Sequence, residues 1–196
     1  MIVVDVETTG VNPAKHGIVS LGAIDFSDTS RQFYGECCIW EGAHVMDEAL
    51  IINGYTREQI SDISKKTEKE LLEDFLLWLK DSTEHTLAGQ NVFFDAAFLE
   101  QVAFRNHIDF TGARRIIDLH TTVYFHMIRR GLTPPADKHR TNLNSDAIME
   151  YVGLPQEPKP HIAINGAKWE TEAFTRLMYE KPCFTEFKKY KIPWLS

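Results

Sequence analysis

Cysteine is scarce in this chain of 196 residues, which has three in total, two of them adjacent at Cys37 and Cys38. That number and spacing fit neither a disulfide framework nor a zinc site, and reduced thiols are typical of a cytoplasmic protein. No apolar run approaches the about 20 residues that span a bilayer, so no membrane association is expected. No basic stretch or cleavage site precedes the apolar residues 2–6, so no secretory signal is expected either.

An excess of positive charge is also missing, because the formal net charge is −7. The total therefore gives no sign of a nucleic-acid-binding protein, but the distribution is uneven. Residues 1–100 contain 18 acidic and 7 basic side chains, whereas residues 101–196 contain 10 acidic and 14 basic ones. Most surface charges are simply solvated, yet an acidic half and a basic half suit a site where metal ions link carboxylates to a phosphate backbone.

Repeats and low-complexity segments are absent, and the length favours one domain with a sizeable core. Segments rich in β-branched and aromatic residues predict strands at residues 2–6, 17–26 and 32–39. Because one turn is predicted at residues 10–13 and another at 27–31, these three strands are expected to form an antiparallel meander. Shorter strands are predicted at residues 86–89 and 116–117.

Helical patterns alternate with the later strands. A capping box at residues 67–70 precedes an apolar-periodic run, Asp118 can cap a later helix, and Asn91 is predicted to cap the helix between them. The predicted helices lie near residues 47–52, from 67 to 79, from 91 onward, from 118 to 130, and at 145–152 and 163–179. The fold class is therefore α/β, a mixed sheet with an antiparallel meander followed by parallel strands, flanked by helices.

Two carboxylates, Asp5 and Glu7, lie two positions apart in an otherwise apolar strand. Side chains at i and i+2 share one face of a strand, so these two groups repel each other and lose hydration. A bound divalent cation would relieve both costs, and a solvated strand end is the alternative.

Two further residues become candidates because of their positions. Asp95 lies at the start of a predicted helix, where it could face the carboxyl end of a strand or simply stabilise the helix dipole. His161 follows Pro160 just before the last helix, and a histidine near a metal site can act as a general base. Taken alone, a single histidine more often has no catalytic role.

Together these residues resemble the motifs of the DEDDh (DnaQ-like) exonuclease family. Asp-Val-Glu-Thr-Thr-Gly at residues 5–10 resembles the first motif, Asn-Val-Phe-Phe-Asp at 91–95 resembles the second, and His161 begins what resembles the third. The resemblance runs from residue 2 to about 179 and implies an RNase H-like sheet. It divides the chain into an exonuclease domain at residues 1–180 and a basic C-terminal tail at 181–196.

The resemblance implies that Asp5, Glu7 and Asp95 bind two Mg²⁺ or Mn²⁺ ions, hard cations that prefer oxygen ligands. Two such ions, about 3.5–4 Å apart, clamp the attacking and leaving oxygens of a phosphodiester. His161 would deprotonate the attacking water and complete the catalytic set. The implied activity is 3′–5′ exonuclease cleavage that releases 5′-nucleoside monophosphates from single-stranded or 3′-overhanging nucleic acid.

Substrate contacts are implied for a second set of residues. By resemblance, Thr8, Thr9 and Gly10 would approach the terminal 3′-hydroxyl and base. Asn91 and Phe94 could line the terminal nucleotide, with a helix cap and a core aromatic as the respective alternatives. The expected partners are single-stranded DNA or RNA 3′ ends, and a homodimer or association with a polymerase or nuclease complex is left open.

One position departs from the family pattern. The fourth metal-binding aspartate is expected five residues after the histidine, where this chain has Gly166. Glycine offers no ligand atom, so this chain is expected to be an inactivated variant, changed by design or degraded naturally. The alternative function is a natural pseudo-nuclease that binds nucleic-acid ends without cutting them.

Overall fold

The structure is a computed structural model that describes residues 1–110 and 115–195. The strands in chain order are β1 (Ile2–Thr8), β2 (Ile18–Asp25), β3 (Gln32–Cys38), β4 (Lys66–Thr67), β5 (Leu87–Gly89), β6 (Ile116–Asp118), β7 (Ala136–Asp137) and β8 (Arg140–Thr141). The helices are α1 (Asp47–Asn53), α2 (Arg57–Ile60), α3 (Glu68–Leu79), α4 (Phe93–Arg105), α5 (Leu119–Arg129), α6 (Ser145–Val152) and α7 (Ala163–Tyr179). Within these ranges, no helix combines the length and apolar character needed to cross a membrane.

The main sheet has six strands in the order β4-β3-β2-β1-β5-β6, and β7 and β8 form a separate two-stranded ribbon. β2 pairs antiparallel with both β1 and β3, whereas β5 pairs parallel with β1 and β6 pairs parallel with β5. The predicted antiparallel meander followed by parallel strands is therefore confirmed. The carboxyl ends of β1, β5 and β6 meet at one edge, where open sheets of this kind place their ligands.

Two of the three predicted caps are present. The box at residues 67–70 forms in both directions, and the Asp118 side chain accepts a hydrogen bond from the Thr121 N–H. The prediction for Asn91 is wrong: its φ is 53°, and α4 begins at Phe93 with no side-chain cap. Asparagine adopts left-handed conformations more readily than most residues, so it forms the turn before the helix instead of capping it.

The pleat of β1 divides its side chains between two apolar cores. Val4 and Val6 belong to the core that includes side chains of α3 and α4, whereas Val3 belongs to the core that includes side chains of α5, α6 and α7. Because side chains alternate along a strand, Asp5 and Glu7 lie on the same face as Val3. α7 packs across β1 and β2 on that face.

The C-terminal tail is joined to this second core through a buried ion pair. Arg176 and Glu172 are both fully buried, and the Arg176 Nε lies 2.8 Å from the Glu172 carboxylate. The Arg176 guanidinium also donates to the carbonyl oxygen of Phe187, and Glu172 accepts from the backbone N–H groups of Cys183 and Phe184. The boundary at residue 180 stays a prediction, but these bonds fix the tail to α7.

We expect replacement of Arg176 by methionine to lower the free energy of unfolding by about 3–5 kcal/mol, because the change leaves the Glu172 charge buried without its partner. Urea denaturation would measure this difference. The control is Lys168→Met, which breaks the more exposed Lys168–Glu186 pair and should cost less than about 1 kcal/mol. Equal losses in the two variants would contradict the role assigned to Arg176.

Candidate active site

α7 lies unusually close to the sheet because β2 has a glycine beneath it. A Cβ atom added at Gly22 would overlap the backbone carbonyl group of Ala163, the first residue of α7. No other residue type permits this approach unless the helix moves. The contact holds the start of α7 over β1 and β2, with His161 two residues before the helix.

The three predicted metal-binding carboxylates converge on the carboxyl-terminal half of β1. Asp5 and Glu7 project from the same face of the strand, and Asp95 lies in the first turn of α4. The Asp95 Oδ1 accepts a hydrogen bond of 2.9 Å from the Val6 N–H, which fixes α4 against β1. Asp95 and Glu7 are both buried.

A cavity of about 200 Å³ brings most of the predicted site together. Asp5, Glu7, His161 and Gly166 line it, whereas Asp95 is absent from the lining but close enough to Asp5 for the Asp5 charge to raise its pKa. The cavity also contains two glutamates that the sequence analysis did not single out. These additional lining residues are Glu157 and Glu170.

Both missed residues had a weak signal in the sequence. Glu170 follows Gly166 by four positions on a predicted helix, a spacing that places two side chains on one face. Glu157 precedes His161 by four positions, but it lies in a loop whose path could not be predicted. Neither position belongs to the motifs that carry the family resemblance.

Burial and mutual repulsion make this cluster of carboxylates electrostatically costly. Burial raises the pKa of Asp5 to about 7, and burial together with the Asp5 charge raises the pKa of Glu7 to about 9. Burial and the Asp5 charge also raise the pKa of Glu157 to about 8 and move those of Asp95 and Glu170 well above their usual range. A divalent cation would offset repulsion of this kind.

The residues in and beside the cavity have the ligand atoms that a divalent metal ion needs, but their side chains are only partly arranged to hold one. Five carboxylates supply the oxygen ligands that Mg²⁺ and Mn²⁺ prefer, and the Glu157 Oε1 and Glu170 Oε2 atoms are buried without a hydrogen-bond partner. Among the described residues, no three acidic, histidine or cysteine side chains are already arranged to hold an ion. Coordination therefore requires some of these carboxylate side chains to rotate.

His161 is half-buried and lines this cavity. Its Nδ1 lies 3.9 Å from the Glu157 carboxylate. Burial and the nearby Lys159 charge lower the pKa of His161, against a smaller opposing effect of Asp146. The imidazole is therefore neutral at neutral pH and able to accept a proton.

An apolar cavity of about 240 Å³ adjoins the acidic one, and Glu7 lines both. Three of the predicted substrate-binding residues line it, namely Thr8, Gly10 and Phe94. Thr9 does not, because its buried hydroxyl donates to the His44 carbonyl. Asn91 is exposed in its turn and also lies outside this lining.

A larger cavity of about 510 Å³ lies between α5 and the end of α7, lined in part by Arg129, Arg130 and Tyr179. It contains no carboxylate of the acidic cluster. The candidate site is therefore assigned from the converging chemistry at β1 and not from the size of a cavity.

Solved structures share the fold at low sequence identity. Cell-death related nuclease 4 (CRN-4) is 16% identical with a TM-score of 0.73, over 97% of this chain and 65% of that one. E. coli exonuclease I in complex with a dA16 oligonucleotide is 15% identical with a TM-score of 0.70, over 91% of this chain and 41% of that one. A zinc-bound E. coli exonuclease I complex with single-stranded DNA is 18% identical with a TM-score of 0.70, over 91% and 40%.

This chain spans about two fifths of the length of the exonuclease I structures and 65% of CRN-4. No curated protein matches it. The family model described as exonuclease, RNase T, matches residues 2–174, which include β1, the acidic cluster and most of α7. The chain therefore belongs to the RNase T exonuclease family.

Proposed function

We propose that this chain is a metal-dependent 3′–5′ exonuclease that releases 5′-nucleoside monophosphates from single-stranded or 3′-overhanging nucleic acid. The observation that carries the proposal is the convergence of Asp5, Glu7 and Asp95 with His161, beside an apolar cavity that shares Glu7. Family membership and the single-stranded DNA in the exonuclease I complexes support the substrate class.

Asp5, Glu7 and Asp95 are the residues we assign to two Mg²⁺ or Mn²⁺ ions. Bound there, such ions would supply Lewis-acid activation of the phosphodiester and of a water molecule. Asp5 and Glu7 hold their carboxylates on one strand face, so their relative positions are set by the backbone. Asp95 is brought in from α4 by its bond to Val6.

The remaining residues act on protons and on the position of the substrate. His161, a neutral imidazole in the cavity lining, accepts the proton of the attacking water. The adjoining apolar cavity fits a terminal nucleoside, and Phe94 offers an aromatic wall on which a base can pack. Thr8 and Gly10 lie where the terminal sugar would enter.

Digestion of end-labelled oligonucleotides tests the proposal directly. With Mn²⁺, a single strand labelled at its 5′ end should give a ladder of products shortened from the 3′ end, and the released species should be 5′-monophosphates. A matched strand whose 3′ end is blocked by an inverted nucleotide should resist digestion. Release of 5′-terminal nucleotides from that blocked strand would contradict the proposed polarity.

The expected loss of activity depends on how many carboxylates bind metal. Activity should be lost if only Asp5, Glu7 and Asp95 bind metal, because Gly166 adds no ligand. Activity should be kept if another carboxylate of the cavity completes the set of ligands. Gly166 also favours the second candidate, an end-binding pseudo-nuclease, which would retain single strands without shortening them in the same assay.

A cytoplasmic location, a homodimer and association with a polymerase or nuclease complex stay predictions.

A further inference from the structure

The Asp5 carboxylate occupies the space where a side chain at Gly166 would lie. A Cβ atom added at Gly166 would overlap the Asp5 Oδ2 atom and lie 2.8 Å from its Cγ. A side chain at this position must therefore displace the Asp5 carboxylate, and glycine leaves that carboxylate free to occupy the space. The position that the family pattern gives to a fourth ligand is thus filled by Asp5 itself.

Glu170 lies one helical turn after Gly166 and lines the same cavity. The turn advances the backbone by about 6 Å along the axis, and helical side chains lean back toward the N-terminus. A glutamate is also one methylene longer than an aspartate. The Glu170 Oε2 accordingly lies at the carboxyl end of β5, 3.0 Å from where a Cβ of Gly89 would be.

The surroundings of Glu170 differ from those of the two buried glutamates outside the acidic cavity. Glu172 and Glu68 each pair with an arginine at 2.8 Å, Arg176 and Arg105 respectively. Glu170 is 7% exposed, and its Oε2 has no hydrogen-bond partner. Over the described residues it forms no ion pair, and the charges that act on it most strongly are those of Asp5 and Asp95.

A buried carboxylate oxygen without a partner is costly and calls for a specific explanation. Glu157 is the competing candidate for a metal ligand. Each of the two glutamates has a backbone group that stabilises its charge, at Ile162 for Glu157 and at Gln90 for Glu170, but the Glu157 carboxylate lies 3.9 Å from His161 and the Asp5 charge acts on it without that of Asp95. Glu170 has the Asp5–Asp95 pair as its main electrostatic neighbour.

We infer that Glu170 is the fourth carboxylate ligand of the two-metal site, supplied one turn later on α7 than the family pattern places it. The inference rests on the proposed function for the presence of the ions, and it assigns to this chain a complete set of four acidic ligands. Gly166 and Glu170 then act as a pair, because the glycine leaves room for Asp5 while the glutamate restores the missing oxygen.

Titration of the whole chain with Mn²⁺ alone, followed by calorimetry, tests this assignment without nucleic acid. The unmodified chain should bind two ions. Glu170→Gln should keep one ion and weaken the other at least about tenfold, because even changes outside the ligand shell cost 10–100-fold in metal affinity. The control Glu68→Gln removes a buried glutamate elsewhere and should still bind two ions, even with a lower melting temperature.

A second change sharpens the test. Gly166→Asp in the Glu170→Gln background should not restore the second ion, because a side chain at this position displaces the Asp5 carboxylate. If Glu170→Gln does not fold, Glu170→Asp replaces it and should weaken the same ion to a similar extent. Tight binding of two ions by Glu170→Gln would overturn the assignment. Loss of an ion in the single variant Glu157→Gln would overturn it as well.

Nuclease assays on the same variants separate the two proposals. Metal binding that depends on Glu170 without any cleavage by the unmodified chain would leave the ligand assignment intact and reject the exonuclease function. Cleavage that survives in Glu170→Gln together with two bound ions would reject the assignment and leave the function intact.

Discussion

Replacement of Asp5 by asparagine should reduce nucleotide release by at least about 10²–10³-fold, the loss typical of one electrostatic group at a reacting oxygen. The same change should stabilise the protein without metal, because it removes a buried charge that raises the pKa of Glu7, Asp95 and Glu170. Thermal melting in EDTA and end-label digestion with Mn²⁺ would measure the two effects.

The pH dependence of melting gives the sign of this effect. Folded Asp5 and Glu7 keep protons up to pKa values of about 7 and 9, whereas their ordinary values are 3.8 and 4.5. The folded state therefore binds more protons between these limits, and the stability of the metal-free protein should fall as pH rises from about 4 to 9. Melting in EDTA should drop by several degrees between pH 6 and pH 9, since about 1 kcal/mol corresponds to roughly 2–4 °C here.

In Asp5→Asn this decline should be shallower, and Mn²⁺ should no longer raise the melting temperature. The exposed Asp81→Asn serves as the control and should melt and cut like the unmodified chain. A decline of equal slope in all three proteins would show that the acidic cluster does not govern stability in this pH range.

Replacement of His161 by alanine should lower the maximal cleavage rate by about 10²–10⁴-fold, the contribution of a positioned general base. Mn²⁺ affinity should change little, because the imidazole is not among the proposed ligands. In the unmodified chain at saturating Mn²⁺, the rate should rise with pH through a midpoint below the ordinary histidine value of 6.5, since burial and Lys159 lower this pKa. The variant should lack that rise.

His85→Ala is a suitable control, because His85 is an exposed histidine that lines neither the acidic nor the apolar cavity. Rates measured across pH 5 to 9 on one labelled single strand would separate the variants. A His161→Ala profile that retains the same rise would assign the proton transfer to another group, with Glu157 as the nearest candidate.

Local sequence patterns were enough to predict most of the fold. α6 and α7 begin and end where the periodicity placed them, and the capping box fixed the start of α3. The predicted helix cap at Asn91 was wrong, because the contact that orders this turn comes from a distant part of the sequence. The Val92 N–H donates to the Asp118 carboxylate, which comes from a different strand of the sheet.

Some residues of the candidate site could likewise be predicted from local sequence, whereas others depend on the folded arrangement. Asp5, Glu7 and Asp95 occupy motif positions whose order and spacing are visible in the sequence, and their convergence was expected. Glu170 enters the cavity because α7 crosses β1 at a particular distance, which depends on Gly22, and Glu157 enters it from the loop before α7. A count of carboxylates by motif position therefore gives three, whereas the folded chain places five in one cluster.

α7 is held at both of its ends, and this has a mechanical consequence for the site. Its first residue rests directly on Gly22, and the Arg176 guanidinium near its last turn is bonded to the tail. A helix restrained at both ends bends less than one restrained at a single end, so release of the tail should let Glu170 move more relative to β1. Among the described residues, the tail supplies none to the acidic cavity, but its bonds to Arg176 hold the end of the helix that carries Glu170.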